Sequence, residues 1–151
     1  MNLLIVDDEY LVVEEVVTVT DWELLGITEI YSATNAVSAV RILNEKKIDI
    51  MICDIEMPQT DGLELSKKAK ENFPDLEIVM LTSHAEFNYV RNALRYGCYD
   101  YLLKPVMEDD IIKVMKNLVT KIERERHQAQ LQEEGIVWNQ LKPVWKEKYW
   151  E

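Results

Sequence analysis

The 151 residues are 48% apolar and 30% charged, enough for one well-packed domain and a small appendage, which excludes both a disordered tail and a mini-protein. Seventeen Lys and Arg against twenty-eight Asp and Glu leave a net charge of -11, which repels a phosphate backbone or an anionic lipid surface and argues against direct DNA binding by this chain. The first apolar run, 3–6, stops at Asp7-Asp8-Glu9, too short for a signal peptide or a membrane span, so the expected location is the cytoplasm.

Short β-rich runs alternate with segments of helical period: 3–6, 29–31, 49–53, 77–81 and 99–103 read as five strands, with four helix-length stretches between them. That alternation predicts an α/β fold with a parallel sheet covered on both faces. The unbroken apolar runs at 3–6 and 50–53 predict its central strands. Asp61-x-x-Glu64 forms a capping box opening a helix over 63–73; Ser83-x-x-Glu86 does the same for 85–96, which Gly97 stops. The last helix starts in the acidic run Glu108-Asp109-Asp110 and carries Ile111, Met115, Leu118 and Ile122 on one face.

Beyond 122 the stripe fades, and the expected domains are 1–122 as the globular unit, 123–134 as a polar helical linker and 135–151 as a tryptophan-rich tail. Gly135 marks a break, Pro143 interrupts any helix through Trp138, Leu141 and Trp145, and the tail's aromatics suit a contact segment. The acidity belongs to the globular part: residues 1–122 hold 12 positive and 22 negative side chains, net -10, and 123–151 hold 5 and 6, net -1.

Ligands of open parallel sheets bind beyond the carboxyl ends of the strands. There the sequence delivers Asp7-Asp8-Glu9, Asp54, Thr82-Ser83 and Lys104-Pro105 from the first, third, fourth and fifth strands. Two unit charges about 4 Å apart repel by about 4 kcal/mol at an effective dielectric near 20, so three carboxylates in one pocket call for a cation. Carboxylates, a backbone carbonyl and waters suit octahedral Mg2+; Lys104 adds a second positive charge, Thr82 a hydrogen-bond donor, and Asp54 a nucleophile able to become an acyl phosphate.

The runs IVDDE at 5–9, DIEMPQTDG at 54–62, LTS at 81–83 and DYLLKP at 100–105, in this order, resemble the receiver domain of two-component response regulators over about residues 1–125. The resemblance implies a flavodoxin-like doubly wound (βα)5 sandwich with a parallel five-stranded sheet of order 2-1-3-4-5. It implies Asp54 as phospho-acceptor and Asp8, Asp54 and the Glu56 backbone carbonyl as Mg2+ ligands, with Asp7 in the second shell or acting through water. Thr82 matches the switch hydroxyl, Tyr101 the aromatic switch residue and Lys104 the phosphate-binding lysine, with a cis bond expected before Pro105.

It further implies a sensor histidine kinase as partner and a homodimer on phosphorylation. The chain would promote its own aspartyl phosphorylation and dephosphorylation, and would not turn over an external substrate. Asp21-Trp22-Glu23-Leu24-Leu25-Gly26-Ile27 and Ala85-Glu86-Phe87-Asn88-Tyr89 are similar to receivers attached to AraC-type DNA-binding regulators. No helix-turn-helix is visible here, so the expectation is a regulator cut within its linker, reaching DNA only through a missing C-terminal module.

Plainer readings stand beside these. Asp7 and Asp8 could cap the helix beginning near Glu9; Asp54 and Asp61-Gly62 could be ordinary loop and turn residues; Tyr101 could be a half-buried strand aromatic. Ser83 satisfies the capping spacing and leaves Thr82 for the switch. His84 either lines the site or sits exposed. Cys53 and Cys98 show no CxxC or Cys/His spacing, which argues against a disulfide or metal clip, and Cys53 reads as a small hydrophobe. Rivals of other classes are a stand-alone phosphorelay shuttle, an FMN carrier, whose phosphate Asp7-Asp8-Glu9 would repel, and a haloacid dehalogenase-like phosphatase, whose DxD spacing is absent from the first strand.

Overall fold

The structure, a computed structural model, describes residues 1–58, 61–83 and 87–149, with only the backbone described at 87–90 and 134–149. Five strands alternate with helices: β1 (Asn2–Val6), α1 (Tyr10–Thr18), β2 (Glu29–Ala33), α2 (Ala36–Glu45), β3 (Ile50–Asp54), α3 (Gly62–Asn72), β4 (Glu77–Thr82), α4 (Phe87–Arg95), β5 (Asp100–Leu103) and α5 (Glu108–Tyr149). A short 3-10 turn at Trp22–Leu25 lies between α1 and β2. The chain divides into two compact units, Met1–Lys116 and Asn117–Glu151.

In the first unit all strand pairs are parallel and the order is β2-β1-β3-β4-β5. The expected fold is present, and the unbroken apolar runs have the expected cause: Leu3 to Val6 and Ile50 to Cys53 are inaccessible because helices cover both faces. Right-handed crossovers send the chain one way from β1 to β2 and the other way from β2 through β5, so α1 lies on one face and α2, α3 and α4 on the other. On the latter, Leu4, Val6, Met51, Cys53, Ile78 and Met80 form a core with Ala39 and Leu43 of α2 and Leu63, Leu65 and Ala69 of α3. Fully burying each large aliphatic side chain stabilises by about 1.5–3 kcal/mol. The direction reverses between β1 and β3, and the crevice above their carboxyl ends is where this topology places a ligand.

Helix boundaries follow local chemistry. Asn35 caps α2 by accepting from the Ser38 N–H, and Asp61 caps α3 by accepting from the Leu63 N–H. Glu64, the expected reciprocal half of that box, pairs with Lys68 at 3.4 Å. Gly97 takes a φ of 88° just past α4, a conformation that favours glycine. The proposed box from Ser83 to Glu86 falls on 84–86, outside the described residues.

In the second unit the structure corrects two expectations: α5 runs through Gly135 and Pro143 to Tyr149 without a break. A helical glycine costs only about 1 kcal/mol; an interior proline costs about 3 kcal/mol, from one lost hydrogen bond and crowding of the carbonyl four residues back, which penalises the helix without forbidding it. Residues 123–133 are exposed, as their polarity predicts. No helix among the described residues is long and apolar enough to cross a membrane.

Candidate functional site

The strand ends bring the sequence-picked side chains together. Asp54 closes β3, Thr82 closes β4, Asp7 and Asp8 follow β1, and Lys104 follows β5. One carboxylate oxygen from each of Asp7, Asp8 and Asp54 lies within 4.8 Å of the others. Asp7 and Asp54 are buried and Asp8 is exposed, so the cluster sits at the floor of a cleft. The cleft, about 750 Å3, is lined by Asp8, Asp54, Glu56, Asp61, Ser83 and Lys104 among others.

Lys104 reaches both buried acids. Its Nζ is 2.8 Å from Asp7 Oδ2 and 3.3 Å from Asp54 Oδ2. Burial pulls this ammonium down, but the two carboxylates outweigh it and hold Lys104 above its usual range. The backbone holds the other carboxylate oxygens: Glu9 N–H donates to Asp7 Oδ1 at 2.9 Å, and Glu56 N–H to Asp54 Oδ1 at 3.1 Å. The cap residue of α1 is Glu9, whose side chain makes no cap bond; Asp7 meets the helix start through the Glu9 N–H with one oxygen and Lys104 with the other.

One ammonium among three carboxylates leaves an excess of negative charge. Burial, and then the charge on Asp7, push Asp54 up to about 6, against the opposing pull of Lys104 and the Glu56 N–H. Asp7 Oδ2 is fully buried and makes no hydrogen bond among the described residues, leaving the ion pair to Lys104 as its compensation. An all-oxygen donor set with surplus charge, open to a solvent cleft, fits a small hard divalent cation.

The raised Asp54 has a consequence for stability. The folded state keeps its proton to about pH 6 and the unfolded chain only to about 3.8, so this group's relative stabilisation of the fold is fully present below 3.8 and lost as pH rises through 6. Asp54→Asn removes the buried charge and should stabilise the metal-free protein at pH 7.5 by roughly 2–3 kcal/mol, at 1.36 kcal/mol per pKa unit. Urea unfolding in EDTA tests this. The gain should shrink below pH 6 and vanish near pH 4; a gain independent of pH would show that the charge is not its source.

Thr82 is buried beside the cleft, and the Lys104 N–H donates to its carbonyl at 2.8 Å. Tyr101 is half-buried and packs against the core, and the Lys104-Pro105 bond is cis as expected. His84 lies outside the described residues. Cys53 and Cys98 are free and buried; burial pushes Cys53 far up and Cys98 to about 11, so neither is a thiolate at neutral pH. Trp22 is buried with its Nε1–H donated to the Val16 carbonyl at 3.0 Å, a structural role. Gly62, read from sequence as part of a turn, lies directly against the main chain of Asp54. Its sequence signals are the Asp-Gly pair and its place at the end of the run DIEMPQTDG.

A doubly wound parallel sheet of order 2-1-3-4-5 with three clustered carboxylates and a lysine at its switch point defines a flavodoxin-like fold with an acidic site at its carboxyl edge. Residues 3–116 match the response regulator receiver domain, and the chain belongs to that family.

An uncharacterized transcriptional regulatory protein, YesN of Bacillus subtilis, is 34% identical over 124 residues, 82% of this chain and 34% of YesN. The response regulator SaeR of Staphylococcus aureus is 32% identical over 127 residues, 84% of this chain and 54% of SaeR. Among solved structures, the receiver domain of AraT, a response regulator from Geobacillus stearothermophilus, superposes with a TM-score of 0.77 at 30% identity, covering 83% of this chain and 97% of that one. Matches to the first curated relatives span 34%, 49% and 57% of those proteins' lengths, so this chain corresponds to about a third to just over half of each.

Proposed function

We propose that Asp54 accepts a phosphoryl group from a phosphohistidine on a sensor histidine kinase, and that the acyl phosphate so formed drives a conformational switch. The observation that carries this reading is the convergence of Asp7, Asp8 and Asp54 within 4.8 Å with Lys104 bridging the two buried members. An Asp54 oxygen attacks phosphorus, the phosphorus–nitrogen bond to the imidazole breaks, and the electron pair leaves with that ring. Lys104, already charged and aimed into the cleft, offsets negative charge on the transferring oxygens. The Glu56 N–H keeps the carboxylate oriented throughout. Asp8, Asp54 and the Glu56 carbonyl would hold Mg2+, with Asp7 behind them, and the ion when bound would supply further neutralisation of phosphoryl charge.

The product is a larger anion beside Lys104. Thr82 would donate its hydroxyl to a phosphoryl oxygen, and Tyr101 would turn into the space Thr82 leaves, altering the face of α4 and β5. Homodimerisation there would be the output. We read 1–122 as the receiver, 123–134 as a polar helical linker and 135–151 as the start of a following region, with DNA reached through an AraC-type module. The greater length of the relatives and the naming of YesN as a transcriptional regulatory protein support that reading. Promotion of its own phosphorylation, with no turnover of an external substrate, and a cytoplasmic location belong to the same reading.

The test is incubation with Mg2+ and a small acyl-phosphate donor, followed by intact mass and size-exclusion chromatography. One phosphoryl adduct, abolished by EDTA, and a shift toward dimer are expected. Thr82→Ala and Tyr101→Ala should take the adduct but lose the size shift; a shift retained in both would remove these residues from the switch. Adduct and shift in EDTA would remove the cation from the account.

A further inference from the structure

A Cβ built on Gly62 would overlap the main-chain carbonyl oxygen of Asp54, lie 2.9 Å from the Asp54 carbonyl carbon and 3.0 Å from the Ile55 Cα. These are backbone atoms that cannot rotate aside. Gly62 is not one of the positive-φ glycines, so close approach alone demands glycine here. Around that contact the main chain is tied on both sides. The Gly62 N–H donates to the Ile55 carbonyl at 3.1 Å and the Ile55 N–H to the Leu81 carbonyl at 2.9 Å. Glu56 and Asp61 form an antiparallel bridge, and Asp61 caps the first turn of α3. The first residue of α3 is thus seated on the backbone of the residue whose side chain forms the floor of the cleft.

We propose that Gly62 is a positioning residue of the phosphoryl-accepting site: its bare α-carbon is the stop against which the Asp54 and Ile55 main chain is set. That seat fixes the main chain that carries the Asp54 carboxylate and the Glu56 carbonyl, the groups that would hold a divalent cation. This inference rests on the reading of Asp54 as acceptor. A side chain at 62 must push β3 and α3 apart, and the displacement falls on Asp54 and on the residue two places beyond it. Groups that orient metal ligands through the backbone act on affinity without touching the ion.

The experiment compares wild type, Gly62→Ala and Leu43→Ala, the last a control that loses core packing on α2, away from the cleft. At a temperature where circular dichroism shows all three folded, Mg2+ affinity is measured by titration calorimetry and phosphoryl uptake from a small acyl-phosphate donor by intact mass. Gly62→Ala should weaken Mg2+ binding by about tenfold or more, the cost usual for lost outer-shell support, while Leu43→Ala stays near wild type. Its uptake should slow correspondingly even at saturating Mg2+.

Should Gly62→Ala not fold, amide exchange on wild type replaces it. Mg2+ should slow exchange of the Gly62 N–H and leave that of the Lys46 N–H, bonded within α2, unchanged; equal Gly62 exchange with and without Mg2+ overturns the proposal. A labelled wild type beside a Gly62→Ala of equal Mg2+ affinity and equal rate overturns the role of Gly62 alone. A wild type that takes no phosphoryl group overturns the acceptor reading beneath it.

Discussion

Asp54→Asn should take up no phosphoryl group: its intact mass after incubation with Mg2+ and an acyl-phosphate donor should match that of a sample given no donor. The amide nitrogen's lone pair is delocalised and the side chain is uncharged, so no oxygen of sufficient nucleophilicity faces phosphorus. The fold should survive, because an asparagine oxygen still accepts from the Glu56 N–H that Asp54 Oδ1 accepts from now. The stability gain expected from the same substitution separates lost chemistry from lost structure. A variant that unfolds more easily and also fails to label would say nothing specific about Asp54, whereas a stabilised variant that fails to label isolates its chemical role.

Lys104→Ala has the largest expected cost in stability. It strands Asp7 and Asp54, both buried, without the ammonium now 2.8 and 3.3 Å from them. Removing one partner of a buried ion pair costs about 3–5 kcal/mol, because the remaining charge has neither water nor a counterion. Two features set the conditions under which the loss appears. Asp54 already lies near 6, so at pH 5 protonation relieves part of the strain, and the full loss should appear at pH 8. A divalent cation in the cleft would substitute for part of the missing positive charge, so Mg2+ should stabilise the variant more than wild type. Urea unfolding at pH 8, in EDTA and in Mg2+, measures both. A loss below about 1 kcal/mol, the range of exposed pairs, would mean that water reaches these carboxylates and that Lys104 is not their essential counterion.

The sheet was legible from sequence because a strand covered on both faces must be apolar at consecutive positions, and Leu3 to Val6 and Ile50 to Cys53 are. The site was legible for a related reason: polar residues at the end of such runs mark the carboxyl ends of neighbouring strands, and Asp7, Asp54, Thr82 and Lys104 all sit there. What sequence reasoning missed depends on backbone geometry. Gly62 reads as half of an Asp-Gly turn, and only the course of the main chain shows it seated on Asp54. Asn35, capping α2, carried no distinctive spacing. The continuation of α5 through Gly135 and Pro143 went against local propensity, which penalises both residues without forbidding either in a helix.

The central claim, that the carboxylate of Asp54 becomes the acyl phosphate, is tested most directly by locating the adduct. Wild-type protein is incubated with Mg2+ and donor, reduced with borohydride, which converts an acyl phosphate to the alcohol, then digested and mapped by mass spectrometry. The expected result is a single reduced side chain at position 54, dependent on donor. Reduction at Asp7, Asp8 or Asp61 instead, or an adduct that resists borohydride and maps to a histidine or a hydroxyl, would contradict it.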